Sequence, residues 1–164
     1  MAREGYVGLH HRLDTPASGL ILLTLDRNLN RPISEALKNG QIERRYRVVV
    51  LGDPGESGIW NAPIDDKTAK TTWRRLATDG YASILDVTLG TGRTHQIRRH
   101  AANAGHPVLG DRRHGGAAGR TWGRLALHTW RLSFTHPATG APITVTAPLP
   151  ADLTELFDQI GSEE

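Results

Sequence analysis

A charged tetrad, His11–Arg12–Leu13–Asp14, runs straight into the turn Thr15–Pro16–Ala17–Ser18–Gly19 and the apolar run Leu20–Ile21–Leu22–Leu23. Burying an unpaired charge is unfavourable, so an arginine and an aspartate beside a greasy segment need partners or a task. Candidate partners stand far along the chain, in Thr91–Gly92–Arg93–Thr94–His95–Gln96–Ile97–Arg98.

A length of 164 residues suits one domain with a real core. The chain is 38% hydrophobic and 23% charged, as in globular rather than disordered proteins. No apolar run approaches the roughly 20 residues that span a bilayer, and the N-terminus has no apolar signal core. The absence of cysteine rules out disulfides and thiolate metal sites. A cytoplasmic protein is expected.

Net charge is only +3, but it is unevenly spread. Between Arg93 and Arg131 there are eight arginines and a single acid, Asp111, whereas the tail from Ala151 is purely acidic. Lysine occurs only at Lys38, Lys67 and Lys70. Arginine makes planar bidentate phosphate contacts and stacks on bases, so an arginine-dense segment points to a nucleic-acid surface.

The patterns predict strands over Gly19–Leu25 (buried), Arg45–Leu51, Thr71–Leu76, Ser83–Leu89, Leu125–Thr135 and Ile143–Thr146. Helices are expected over Asn30–Asn39 with Asn30 as cap, over Thr94–Ala104 with Thr94 as cap, and over Asp152–Ile160. Residues 52–66 read as a loop and Gly115–Gly119 as a flexible one. Together these give one α+β domain, with a mixed, mostly antiparallel sheet and a few flanking helices.

Asp14 is the first candidate for chemistry. A guanidinium beside a carboxylate favours its ionised form, and an ionised, oriented carboxylate serves as nucleophile or general base. Arg93 and Arg98 bracket the start of a helix, which makes an anion site. Tyr46, between Arg45 and Arg47, is either a cross-strand residue or a platform for a base. The eight histidines do not show metal-ligand spacing, and Gly90–Thr91–Gly92–Arg93 lacks the ending of a phosphate-binding loop.

His11–Arg12–Leu13–Asp14 with Ala17–Ser18–Gly19 resembles the active-site motif of the RluA-like pseudouridine synthases. Arg44–Arg45–Tyr46 resembles that family's second element. Gly92–Arg93–Thr94–His95–Gln96–Ile97–Arg98, His100 and Gly105–His106–Pro107–Val108–Leu109–Gly110–Asp111 resemble its third, and Leu125–Ala126–Leu127–His128, Phe134–Thr135–His136–Pro137 and Ala147–Pro148–Leu149–Pro150 its closing strands. The resemblance implies a pseudouridine synthase-like core that isomerises uridine in structured RNA, ribosomal or transfer, without cofactor or metal. It makes Asp14 the essential carboxylate, Tyr46 the residue that stacks on the base, and Arg98 the partner of Asp14, with Arg93 as second choice. It places Arg12, Arg93, His95 and Gln96 at the RNA and Leu127 in the wall of the uracil pocket. The Leu20–Leu23 strand is expected to form a dry pocket floor. The family's catalytic domain carries a substantial stretch before its aspartate motif, whereas only ten residues precede His11 here. An N-terminally shortened sheet with an exposed edge, open to self-association, is therefore expected. Two other readings compete: an idle RNA-binding relative, and a hydrolase pairing Asp14 with His11 or His95.

Overall fold

The β-branched runs assemble into a sheet covered on both faces. The computed structural model describes residues 5–161. Its strands, in chain order, are β1 (Gly8–Leu9), β2 (Ser18–Gly19), β3 (Leu23–Thr24), β4 (Glu43–Leu51), β5 (Ser57–Trp60), β6 (Thr71–Thr78), β7 (Ala82–Leu89), β8 (Leu127–Thr135) and β9 (Pro142–Thr146). The helices are α1 (Asn30–Lys38), α2 (Gln96–Asn103) and α3 (Ala151–Gly161).

Seven strands form the main sheet in the order β2-β8-β4-β7-β6-β5, with β9 also against β8. β2 pairs with β8 in parallel, and the remaining pairings are antiparallel. The fold is thus the expected α+β arrangement. Val48–Val49–Val50 is fully buried, because successive side chains enter different layers. Val48 and Val50 join Leu85, Val87, Ile97 and Ala101 on the α2 side, while Val49 joins Ile84, Leu153 and Ile160 on the α3 side. Fully burying a side chain of this kind stabilises by about 1.5–3 kcal/mol, so this run is the anchor of the sheet.

The segment after Gly19 departs from expectation. Only Ser18 and Gly19 pair with β8, opposite His128 and Thr129. The chain then turns off, and β3 pairs with β1 in a separate two-stranded ribbon. The apolar run therefore has two faces. Thr24 is buried, but Ile21, Leu23 and Leu25 are exposed, as are Val7 and Leu9 on the neighbouring segment. It is not a buried strand.

The start of α1 also differs. Asn30 lies inside α1, where its amide oxygen accepts from the Thr24 hydroxyl instead of capping. A short 3-10 turn over Arg27–Leu29, capped by Asp26, leads into the helix. β5 falls in the expected loop: it is a short strand at the sheet margin whose Gly58 lies under the Trp73 ring. Gly115 and Gly119 are not a loose loop, because both are buried against the Asp111 backbone.

Gly19 sets the distance between the aspartate turn and the sheet. Its φ of +115° strains any side chain, and a Cβ there would run into the Thr129 backbone. Gly19→Ala should destabilise the fold by about 1–3 kcal/mol from backbone strain alone. Thermal unfolding followed by circular dichroism checks this; an unchanged Tm would count against it.

Candidate active site

The residues of the tetrad are held by their own histidines. His10 bridges to the Thr24 hydroxyl at 2.8 Å and to the Ser34 hydroxyl at 3.1 Å. His11 accepts the Leu22 N–H at Nε2, 2.9 Å away, which requires the neutral ring. Burial, aided by the charges of Arg44 and His10, lowers the His11 pKa from 6.5 to about 4. Both imidazoles thus fasten the loop carrying Asp14, and the Ala17 N–H closes its turn on the Asp14 carbonyl at 2.7 Å.

Arg98 reaches Asp14 from α2. Its Nη1 donates to Asp14 Oδ2 at 3.1 Å, while Nε and Nη2 form a fork onto Asp111 at 2.8 and 2.7 Å. The Asp111 side chain is fully buried, and the N–H groups of Arg113 and His114 also donate to it, each at 3.0 Å. Burial works to raise its pKa, but these donors prevail and bring it down to about 2. Asp111 was not among the sequence candidates. Two signals marked it: it is the sole acid in the arginine-dense stretch, and it closes the Gly105–Asp111 motif of the family resemblance.

Asp14 and Arg98 sit in the wall of a cavity of about 640 Å³, within the range of small-ligand sites. All eight site residues named from the sequence line it: Arg12, Asp14, Tyr46, Arg93, His95, Gln96, Arg98 and Leu127. The alternation of β4 sorts its charges. Arg44 and Tyr46 face the cavity, whereas Arg45 and Arg47 pair with Asp86 and lie over the Trp130 ring. Burial raises the Tyr46 phenol above its ordinary pKa, so it keeps its proton at neutral pH.

Several expectations are corrected. Leu20–Leu23 contributes nothing to the cavity, whose apolar lining comes from Leu13, Ala17, Leu37, Leu89, Ile97 and Leu127. Thr94 does not cap α2; His95 stands at its start with φ +52°. Gln96 is saturated. Its Oε1 accepts from Thr91 Oγ1 and Arg93 N, and its Nε2 donates to Lys70 O and Thr71 Oγ1. The Gln96 amide therefore pins the loop that precedes α2. Arg93 is tied to Thr68 O at 3.0 Å, and Arg12 is exposed. His95 Nε2 lies 3.7 Å from Asp14 Oδ1, and its Nδ1 lies 2.9 Å from His114 Nε2. Burial lowers the pKa of both these imidazoles. Among the described residues, no group of three or more His, Cys, Asp or Glu side chains is placed to hold a metal ion.

Removing one partner of a buried ion pair costs about 3–5 kcal/mol, so Asp111→Ala should lower unfolding free energy by that order in urea titration. Acid acts through His11, alongside the other imidazoles that burial holds below 6.5. The unfolded chain takes up this proton near pH 6.5 and the folded one only near 4, so stability falls as pH drops through that window. His11→Asn should reduce the pH dependence of urea stability there, leaving the part due to the other lowered imidazoles. The Asp111 contribution is held above about pH 4 and lost on the way to about 2.

Comparison with known proteins matches residues 2–103 to the family described as RNA pseudouridylate synthase. Ribosomal large subunit pseudouridine synthase D of Nitrosomonas europaea is 32% identical, over 93% of this chain and 51% of the relative. tRNA pseudouridine synthase C of Salmonella typhi is 31% identical, over 92% of this chain and 71% of the relative. The chain spans about half the length of most of the curated relatives it matches. The solved structure of human RNA pseudouridylate synthase domain containing 4 superposes with a TM-score of 0.79 at 18% identity, over 94% of this chain and 76% of the other, and so shares the fold. With a family match over most of its length and relatives above 30% identity, the chain belongs to the RNA pseudouridylate synthase family.

Proposed function

We propose that this chain isomerises uridine to pseudouridine within structured RNA, using Asp14 as the catalytic carboxylate and no cofactor or metal. The observation that carries this reading is the Asp14–Arg98 pair in the wall of a cavity that also presents Tyr46 and Leu127. A base in a helix is out of a carboxylate's reach and must be flipped out, at a cost of a few kcal/mol. Stacking on Tyr46 offsets part of that, by about 1–3 kcal/mol per base. Leu127 supplies an apolar wall. Arg12, exposed at the rim, and Arg93 contact phosphate or fill the vacated place of the base. Arg98 holds Asp14 in orientation, and Tyr46, protonated at neutral pH, can assist a proton transfer.

Relatives named for ribosomal and for transfer RNA make these two the candidate substrates. The cysteine-free sequence suits the cytoplasm, where both RNAs occur. An idle RNA-binding role is the competing outcome. A hydrolase pairing Asp14 with His11 is disfavoured, because the His11 Nε2 is occupied by the Leu22 N–H.

Bulk rRNA and bulk tRNA tritiated at uridine C5 provide the test. Wild-type protein should release tritium from one of them, and Asp14→Asn should lower that release by at least about a hundredfold, as for a lost acid–base or nucleophilic group. Unchanged release in Asp14→Asn would refute the assignment of the carboxylate. Salt-sensitive RNA binding with no release by wild type would make the chain an idle binder.

A further inference from the structure

Arg44 and Arg98 are both buried, and they are treated differently. Arg98 is locked between two carboxylates. Arg44, 7% exposed, has no ion pair among the described residues. Its Nη2 makes a long bond of 3.3 Å to Thr91 O, and its Nε is buried with no hydrogen-bond partner. A guanidinium is always charged, and leaving one buried and uncompensated is expensive. The cavity residues nearest in chemistry only add to the imbalance: Arg12, Lys38 and Arg93 are cations, and Asp14 is already held by Arg98. An empty anion site is the simplest account of such an arrangement.

Depth selects the anion. Arg12 and Lys38 are exposed at the cavity rim. Arg44 is far more buried than either, and it sits two residues from Tyr46 on the same side of β4. It therefore lies in the region that takes the base. Gly92 is the cover over this guanidinium, and a Cβ there would lie 3.0 Å from Nη1.

We propose that Arg44 is a further catalytic residue, stabilising the uracil anion. This rests on the isomerisation proposed above. When the C1′–N1 bond breaks, its electron pair stays with the base, which carries one negative charge spread over N1, O2 and O4. The base turns, C5 bonds to C1′, the C5 proton is lost and N1 gains a proton, so that charge and atoms balance. A cation fixed beforehand beside the oxygens, in a site sheltered from water, acts most strongly while that charge exists.

The test compares Arg44→Gln and Arg44→Lys by tritium release, using whichever of bulk rRNA or bulk tRNA the wild type turns over. Arg44→Gln should lower kcat by about 10²–10³-fold, as for loss of one preorganised donor, with KM within a few-fold of wild type and the same dependence of KM on KCl. Arg44→Lys, which keeps the charge, should recover a measurable part of kcat. A raised KM with a shallower salt dependence and intact kcat overturns the proposal and makes Arg44 a phosphate contact. Equal loss in both variants with a parallel fall in Tm overturns it in favour of a structural role, and unchanged kinetics also overturns it. A wild type that releases no tritium from either RNA removes the reaction and this role together, whereas an active wild type with an equally active Arg44→Gln removes this role alone.

Discussion

The site depends on one guanidinium shared between two carboxylates. Arg98 comes from α2, Asp14 from the turn before β2, and Asp111 from the loop beyond Val108. Each alone would be an unfavourable buried or half-buried charge. Together they satisfy one another, and they fix the relative placement of three segments distant in sequence. The Asp111 end is the firmer one, because its carboxylate is sealed from solvent and accepts four donors. The Asp14 end is the open one, a single bond on a side chain facing the cavity. The clamp is thus asymmetric: Asp111 is enclosed, while Asp14 is oriented by the same guanidinium and stays half-exposed.

The sheet underneath distributes polarity as well as greasy surface. Covering on both faces lets β4 carry a valine triplet at one end, while its other end alternates four polar residues between two environments. On one side Arg45 and Arg47 share Asp86 and lie over the Trp130 ring. On the other, Arg44 and Tyr46 stay available to the cavity. The strand separates ion-paired charge from cavity-facing charge by the simple period of two.

Much of this was legible in the sequence. β4, β6, β7, β8 and α3 are announced by β-branched runs or by helical spacing of apolar residues, signals set by burial itself. The meeting of Asp14 and Arg98 was legible as a need, since both charges lacked local partners, while the family likeness chose Arg98 over Arg93. What could not be read were choices made by tertiary contact. Leu20–Leu23 looks like a core strand, but the turn after Gly19 sends alternate residues outward. Thr94 looks like a helix cap, but the loop is secured by Gln96 and the helix begins at a left-handed His95. Ser57–Trp60 becomes a strand because Trp73 and β6 receive it, not because of its own propensity. Asp111 stands in a recognised motif, but its part in the clamp shows only once its burial is known.

The segment around Asp111 combines two kinds of residue with opposite tolerance. Gly110, Gly115 and Gly119 have backbone atoms where any side chain would collide, so their identity is dictated by the scaffold. Arg112, Arg113 and Arg120, interleaved with them, point into solvent. Surface charge along this ridge can consequently drift from one descendant to another without disturbing the buried clamp beneath it.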